Sequence, residues 1–249
     1  MEVRSVLPRV WDVPEEFRAR LGDRPGRQRA MFADGHLLLV LHKAPAPDEV
    51  QRQGRYFWRH PDGTWKSSEF GGGAAAISKH LAEYADALQE YDQQEDRAAT
   101  AAEYFQVLEG VAPLHRAASH MHTVLQEARK QISSDRGLIN LRDQAYEIER
   151  TADLLYTNTK NGLDFAIARR AEEEARMSRK MAVSAHRLNV LVAFFFPVAT
   201  LCAIFGVNLE HGLENYAPPL PLVAIVALGL LCGAVLATII TRPGRQQEG

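Results

Sequence analysis

The chain has 249 residues, of which 46% are hydrophobic and 24% are charged, and its formal net charge is -2 at pH 7. This length and composition are sufficient for one globular or helical domain joined to a membrane anchor. The two cysteines, Cys202 and Cys232, are too few for a disulfide framework. Residues 1–20 contain no apolar core of signal-peptide length, so we expect membrane insertion to rely on segments further along the chain.

A small antiparallel meander is predicted over residues 27–68. Asp34-Gly35 and Pro61-Asp62-Gly63 each separate two short runs of β-favouring residues. Such turns between such runs predict β-hairpins. The four expected strands are residues 28–32, 37–41, 56–59 and 64–66.

Helical segments follow the glycine run at residues 71–73. In each of them apolar residues recur at spacings of three and four, which is the pattern of a helix that buries one seam. The seam residues are Ile77, Leu81, Tyr84, Leu88 and Tyr91, then Leu114, Ala118, Met121, Leu125, Ala128 and Ile132, then Leu138, Leu141, Ala145, Ile148, Ala152, Leu155 and Thr159. No proline interrupts residues 137–196, so we predict one helix over about residues 140–205. At 1.5 Å per residue it would be roughly 100 Å long, and most of it would form a stalk outside a bilayer.

Two uncharged runs near the C-terminus predict two membrane-spanning helices. They cover residues 188–205 and 220–240, and about 20 apolar residues are needed to cross the hydrocarbon core. Basic residues precede the first run and follow the second, whereas the loop between them carries Glu210 and Glu214 but no Lys or Arg. The positive-inside rule therefore predicts that both termini are cytoplasmic and the loop is outside. The basic residues are Arg169, Arg170, Arg176, Arg179, Lys180 and Arg187 before the first run, and Arg242 and Arg245 after the second.

The motif Gly206-Val207-Asn208 comes directly after the first apolar run. Pro197 lies nine positions before Gly206, and the aromatic Phe205 immediately precedes it. Over about residues 187–240 this arrangement resembles the CorA family of divalent-cation transporters. The family signature is Gly-Met-Asn, and the Gly-Val-Asn form is similar to the zinc-transporting ZntB branch, so both Mg²⁺ and Zn²⁺ remain open.

The resemblance implies a membrane α-helical fold with a small α+β cytoplasmic domain. A long stalk helix would continue into the first of two C-terminal transmembrane helices, and five copies would surround a central pore. We expect this homopentamer in a bacterial-type inner membrane, with the lipid bilayer and divalent metal ions as partners, no nucleic acid, and no cofactor besides transported Mg²⁺ or Zn²⁺. The expected divisions are 1–136 as a reduced N-terminal cytoplasmic α+β domain, 137–187 as the stalk, 188–240 as the pore domain and 241–249 as a basic cytoplasmic tail.

Asn208 is the principal candidate for ion selection. In the family, the asparagine of this motif forms a ring of amide oxygens, and such a ring suits a hydrated divalent ion because Mg²⁺ prefers oxygen ligands and dehydrates reluctantly. Gly206 would allow the unusual backbone required where the helix ends. The alternative is an ordinary helix C-cap followed by an asparagine in a turn.

A stripe of residues on the first membrane helix supplies the pore-lining candidates. Ala182, Ala185, Asn189, Val192, Phe196 and Ala199 recur at spacings of three and four and so share one helix face. The resemblance places Leu188, rather than Asn189, at an inner hydrophobic gate. Phe196 would close a pore by dewetting. The alternative is that the aromatic run 194–196 only packs against lipid and the second helix.

Three further groups are weaker candidates. Glu210 and Glu214 would place about ten carboxylates around the outer mouth of a pentamer and so concentrate cations, and His211 offers a donor that suits zinc; ordinary solvated loop residues are the alternative. The histidines His115, His120 and His122 form either a metal site between helices or a solvated face. Residues 172–174, three glutamates among arginines, are expected on a salt-bridged stalk surface.

No nucleophile elbow, phosphate loop or catalytic triad is recognisable, so we do not expect an enzyme. The leading expectation is a divalent-cation channel or transporter. The first alternative is a membrane-anchored coiled-coil scaffold or effector with a CorA-like fold that lacks selective transport. A pore of low selectivity is a further alternative.

Overall fold

A computed structural model describes residues 6–46, 51–206, 217 and 219–241. By their internal contacts these residues fall into two units, one ending at Arg169 and the other beginning at Arg170. The elements in chain order are α1 (Glu15–Ala19), β1 (Arg29–Ala33), β2 (His36–His42), β3 (Gly54–Arg59), β4 (Trp65–Ser67), α2 (Ala75–Arg97), α3 (Ala101–Gln131), α4 (Arg136–Gly206) and α5 (Leu220–Thr241). The divisions predicted from the sequence, at residues 136, 187 and 240, separate a cytoplasmic domain, a stalk, a pore domain and a tail. The two contact-based units do not test these divisions, which stay a prediction.

The four strands form one antiparallel sheet in the order β1-β2-β3-β4, which confirms the predicted meander. The β1–β2 hairpin turns at Asp34 and Gly35, whose φ angles are 49° and 78°. Two consecutive positive φ angles are what a two-residue turn of type I′ requires. At the β3–β4 turn, the carboxylate of Asp62 accepts hydrogen bonds from the backbone N–H and the hydroxyl of Thr64, at 2.9 and 2.8 Å.

Strand β2 is buried on both faces of the sheet. Its five consecutive residues from Leu37 to Leu41 are fully inaccessible to solvent. One face packs against α2, α3 and the first turns of α4, and the other face is covered by the N-terminal segment through Trp11 and Phe17. This double burial explains why β2 is a continuous apolar run rather than an alternating one.

The predicted helical seams supply most of the helical core of the first unit. The buried residues of α2, α3 and the start of α4 form one cluster with the inner face of the sheet. A capping box joins Thr100 and Glu103 at the start of α3. Asp135 caps the start of α4, where its carboxylate accepts from the Gly137 N–H at 2.8 Å and from Arg59 Nε at 2.8 Å. That ion pair ties the sheet to the beginning of the long helix.

Helix α4 runs without a break from Arg136 to Gly206, which confirms the long helix expected over about residues 140–205. Its residues as far as Thr159 contribute to the buried interior of the first unit. From residue 167 to residue 189 every residue is exposed in the single chain.

A buried arginine joins two elements of the first unit and the loop that follows β4. Arg55 on β3, only 3% exposed, contacts Glu83 on α2 at 2.7 Å and Glu69 at 3.0 Å. Its Nη1 lies 2.8 Å from Nδ1 of the fully buried His80. Because a guanidinium can only donate, Nδ1 must accept, and the imidazole is therefore neutral. Burial, reinforced by the Arg55 charge, lowers the pKa of His80 from 6.5 to about 3.

We predict that His80 makes the first unit less stable in acid. In the unfolded chain His80 binds a proton near pH 6.5, whereas in the folded chain it does so only near pH 3. The free energy of unfolding must therefore decrease as the pH falls from about 6.5 toward 3. The variant His80→Gln lacks this titrating group, so the slope of its unfolding free energy against pH should be smaller by the contribution of about one proton. The measurement is denaturant unfolding of the full chain at several pH values, followed by fluorescence of Trp11, Trp58 and Trp65, which all lie in the first unit.

The control for this prediction is His120→Gln, which changes an exposed histidine on α3. It should leave the slope of unfolding free energy against pH unchanged. Equal slopes for the wild type and His80→Gln would contradict the assignment of the buried neutral imidazole.

Candidate functional site

Two helices among the described residues have the length and apolarity needed to cross a membrane. The qualifying segments are residues 136–204 of α4, with a mean hydropathy of 1.9 in its most apolar window, and residues 220–238 of α5, with 2.6. None of the α4 window and only 11% of the α5 window is buried inside the chain. The core helix of a soluble protein would be mostly buried, so these helices expose their apolar surface instead.

Two threonine hydroxyls in these helices are satisfied within their own helix. Thr200 Oγ1 donates to the Phe196 carbonyl at 2.8 Å, and Thr238 Oγ1 donates to the Val235 carbonyl at 2.7 Å. Such internal bonding suits a hydrocarbon environment, where unsatisfied polar groups are costly.

Close packing between α4 and α5 depends on two glycines. A Cβ atom at Gly229 would lie 3.0 Å from Val198 Cα, and one at Gly233 would collide with the Phe194 carbonyl oxygen. Gly229 and Gly233 are the two buried residues of α5 among those whose exposure the structure describes. Their spacing matches the small-xxx-small pattern that lets membrane helices approach closely.

The pore-lining candidates lie on the opposite side of α4 from this contact. At 3.6 residues per turn, their mean direction is roughly 160° around the helix from that of Phe194 and Val198. We call these candidates the uncovered stripe: Ala182, Ala185, Leu188, Asn189, Val192, Phe196 and Ala199. All seven are exposed in the single chain, with Leu188 at 60%, Val192 at 52% and Phe196 at 65%.

The three consecutive phenylalanines of α4 are therefore not equivalent. Phe194 faces α5, where Gly233 approaches its backbone, and its ring meets that of Phe195 edge-on at 5.2 Å. Phe196 belongs to the uncovered stripe and points away from α5. Its 65% exposure in the single chain does not distinguish a pore from lipid, so the pore-lining role of Phe196 stays a prediction.

Of the motif itself, the structure describes only Gly206, the last residue of α4. Val207 and Asn208 lie outside the described residues, as do the outer-loop candidates Glu210, His211 and Glu214. The structure therefore describes the helix that leads to the motif, and the role of Asn208 in ion selection stays a prediction.

The histidines of α3 pair with carboxylates of α4. His122 Nδ1 contacts Glu149 Oε2, and His115 Nε2 lies 3.4 Å from Asp153 Oδ1 and stacks on Tyr156 with ring centroids 5.3 Å apart. Among the described residues, no three His, Cys, Asp or Glu side chains converge as metal ligands would. His120 is exposed.

The glutamate run at residues 172–174 and the two cysteines lie on the membrane helices and the segment that precedes them. In the glutamate run at residues 172–174, Glu174 pairs with Arg170 one turn away at 3.1 Å, as a salt-bridged helix surface predicts. Cys232 is half-buried, whereas Cys202 is exposed in the single chain.

Two features of the structure were not predicted from the sequence. The Gly229-xxx-Gly233 spacing within an apolar run is a recognisable signal of close helix packing, and it identifies the face of α4 that α5 covers. The carboxylate partners of His115 and His122 are spaced four apart on α4, at Glu149 and Asp153, but their pairing depends on how the two helices align.

No protein-family model matches this sequence, and no curated protein matches it. Among solved structures, the chain is similar to the full-length CmaX protein, with a TM-score of 0.49 and 12% identity, over 84% of this chain and 77% of that one. It is also similar to the CorA magnesium transporter from Methanocaldococcus jannaschii, with a TM-score of 0.44 and 13% identity, over 89% of this chain and 81% of that one. At TM-scores and identities this low, neither similarity carries an argument about family or activity.

Proposed function

We propose that this protein is a divalent-cation channel or transporter whose ion pathway is lined by the first membrane helix. The observation that carries the proposal is the direction of Val192, Phe196 and Ala199, which lie on the side of α4 that α5 leaves uncovered in the run that leads to Gly206. In a bilayer, an outer ring of α5 helices and an inner ring of α4 helices would place that stripe around a common axis.

The stripe also has a suitable chemical character for a pore. It contains small side chains at Ala182, Ala185 and Ala199, an amide at Asn189, and bulky apolar side chains at Val192 and Phe196. Small and polar residues leave room for a hydrated ion, and a ring of bulky apolar residues gates by dewetting. We therefore assign Leu188 and Phe196 to hydrophobic constrictions of this pathway.

The assembly and the ion follow from the sequence motif. Gly206-Val207-Asn208 resembles the CorA signature, and by that resemblance we infer a homopentamer in which Asn208 presents a ring of amide oxygens to a hydrated cation. The similarity of its Gly-Val-Asn form to the ZntB branch supports Zn²⁺ beside Mg²⁺ as cargo. Glu210, His211 and Glu214 would concentrate cations at the outer mouth, with both termini of the chain in the cytoplasm.

The function is tested by ion uptake into liposomes that contain the purified protein. We expect uptake of at least one of Mg²⁺, Zn²⁺, Co²⁺ and Ni²⁺ well above that of protein-free liposomes, and no comparable leak of Na⁺ or K⁺. The same preparation should have the mass of five chains in native mass spectrometry, because the resemblance of the motif to the CorA signature implies a homopentamer. A monomer or dimer without divalent uptake would contradict the proposal and favour a membrane-anchored scaffold, and equal passage of monovalent ions would indicate an unselective pore.

A further inference from the structure

We propose that four exposed cations of α4 bind the phosphate groups of anionic lipids in the cytoplasmic leaflet. They are Arg176, Arg179, Lys180 and Arg187, and we call them the basic face. This inference rests on the membrane topology of the proposed function, but it concerns a different surface of α4 and a different partner.

The charges of the basic face are not neutralised within the part of the chain that the structure describes. All four side chains are exposed, and none forms an ion pair with a described residue. Arg170, by contrast, pairs with Glu174 at 3.1 Å. The four cations line one surface recess, in which Glu172 is the single acidic residue among the described lining. The recess therefore presents a net positive surface to an anion.

The direction of the basic face makes it accessible to lipid. At 3.6 residues per turn, its mean direction lies within roughly 20° of the α5-contacting residues Phe194 and Val198 and nearly opposite the uncovered stripe. Copies of the chain that associate through the uncovered stripe would leave the basic face on the outside of the assembly. That side of α4 would face α5 of the same chain and the surrounding lipid, rather than another α4 helix.

The level of the basic face along α4 matches a leaflet surface. Arg187 immediately precedes the apolar run that begins at Leu188. At 1.5 Å per residue, Lys180 lies about 10 Å and Arg176 about 16 Å further from the hydrocarbon boundary. The attraction of a cation to anionic lipid falls off within about 8–10 Å at physiological salt. Arg187 should therefore contribute most to lipid binding and Arg176 least.

The chemistry of the face favours a phosphate ligand. Arginine binds phosphate oxygens through two parallel N–H donors, and lysine adds a compact point charge. Juxtamembrane clusters of four or more cations attract anionic leaflets for this reason. Phosphatidylglycerol provides both the phosphate and the net negative charge, whereas phosphatidylcholine carries the same phosphate next to a cationic choline.

The test is native mass spectrometry of the full chain in a neutral detergent, titrated with either phosphatidylglycerol or phosphatidylcholine. The wild type should bind phosphatidylglycerol more tightly than phosphatidylcholine. Replacing all four cations of the basic face with Gln should weaken that binding by about tenfold or more, while phosphatidylcholine binding is unchanged. The matched control should keep the preference for phosphatidylglycerol over phosphatidylcholine. It replaces four exposed cations of the first unit with Gln: Lys79, Arg97, Lys130 and Lys160.

Two further measurements sharpen the test. Arg187→Gln alone should weaken phosphatidylglycerol binding more than Arg176→Gln alone, as their distances from the apolar run require. Inorganic phosphate should displace the lipid only in part, because it lacks the acyl chains that hold the lipid phosphate at the level of Arg187. If inorganic phosphate displaces the lipid completely, the face binds free phosphate, and the assignment to lipid is overturned.

Failure of this inference is distinguishable from failure of the proposed function. The protein could prefer phosphatidylglycerol through the basic face and yet take up no divalent cation. That result would support the lipid site and rule out the proposed transport function. Divalent uptake by a protein that binds both lipids equally would overturn the lipid site. A preference that survives in the fourfold Gln variant would overturn it as well.

Discussion

Asn208→Ala should remove most divalent-cation uptake while the chain still assembles. If the amide oxygens of Asn208 hold the water shell of the ion, a methyl group offers no dipole to replace them, and we expect uptake to fall roughly tenfold or more. Folding should persist because the residue follows the last residue of α4 in the sequence and lies beyond the apolar run 188–205. Uptake into liposomes and native mass spectrometry of the same preparation measure the two effects separately.

A charge-adding variant and a matched control make this prediction specific. Asn208→Asp adds one carboxylate per chain, so the ion should bind more tightly and leave more slowly, and uptake should saturate at a lower ion concentration. Asn158→Ala makes the same chemical change at an exposed position of α4 in the first unit, and it should not alter uptake. Wild-type uptake by Asn208→Ala would rule out the selectivity ring.

Gly233→Leu should separate α4 from α5 and destabilise the second unit. Even a Cβ atom at this position would collide with the Phe194 carbonyl oxygen and would lie 3.2 Å from Phe194 Cα. Backbone atoms cannot move aside as a flexible side chain can, so the helices must part. Overpacking of this kind costs about 1–3 kcal/mol. Unfolding of the purified protein by a denaturing detergent, followed by far-ultraviolet circular dichroism, measures the loss.

The control for the packing prediction is the neighbouring Ala234→Leu. Ala234 is exposed and faces away from the α4 contact, so the larger side chain should meet lipid and leave stability almost unchanged. Equal stability of the two variants would contradict the close approach at Gly233. Loss of uptake in Gly233→Leu alone would show that the pathway also depends on the position of α5.

Local features of the fold were predictable because short-range chemistry determines them. Asp34-Gly35 supplies the two positive φ angles that the first hairpin requires. The spacing of Ile77, Leu81 and Tyr84 follows the helical period, and all three residues are buried. The long α4 was predictable because no proline occurs from residue 137 to residue 196 and because the helical pattern does not break.

Long-range contacts were not predictable in the same way. The apolar run of β2 does not indicate that the N-terminal segment around Trp11 covers its second face. Likewise, Arg55 meets Glu83 28 residues away, and His122 meets Glu149 27 residues away. Such pairs depend on how packed elements align in three dimensions, which the spacing within one element does not determine.

The candidate site was predictable in part. Helical spacing alone identifies the residues that share a face with Phe196, but it does not say which face α5 covers. The contact of Gly229 with Val198 supplies that direction. The motif residue Asn208 lies outside the described residues, and its role continues to depend on sequence resemblance.

A cysteine scan of α4 tests whether the uncovered stripe lines the ion pathway. Single cysteines are introduced in a background with Cys202→Ser and Cys232→Ser, and divalent uptake is measured before and after reaction with a charged thiol reagent. We expect block at the stripe positions Val192 and Ala199 and little effect at the α5-facing positions Phe194 and Val198. Block at Phe194 and Val198 without block at Val192 and Ala199 would show that the stripe does not line the pathway.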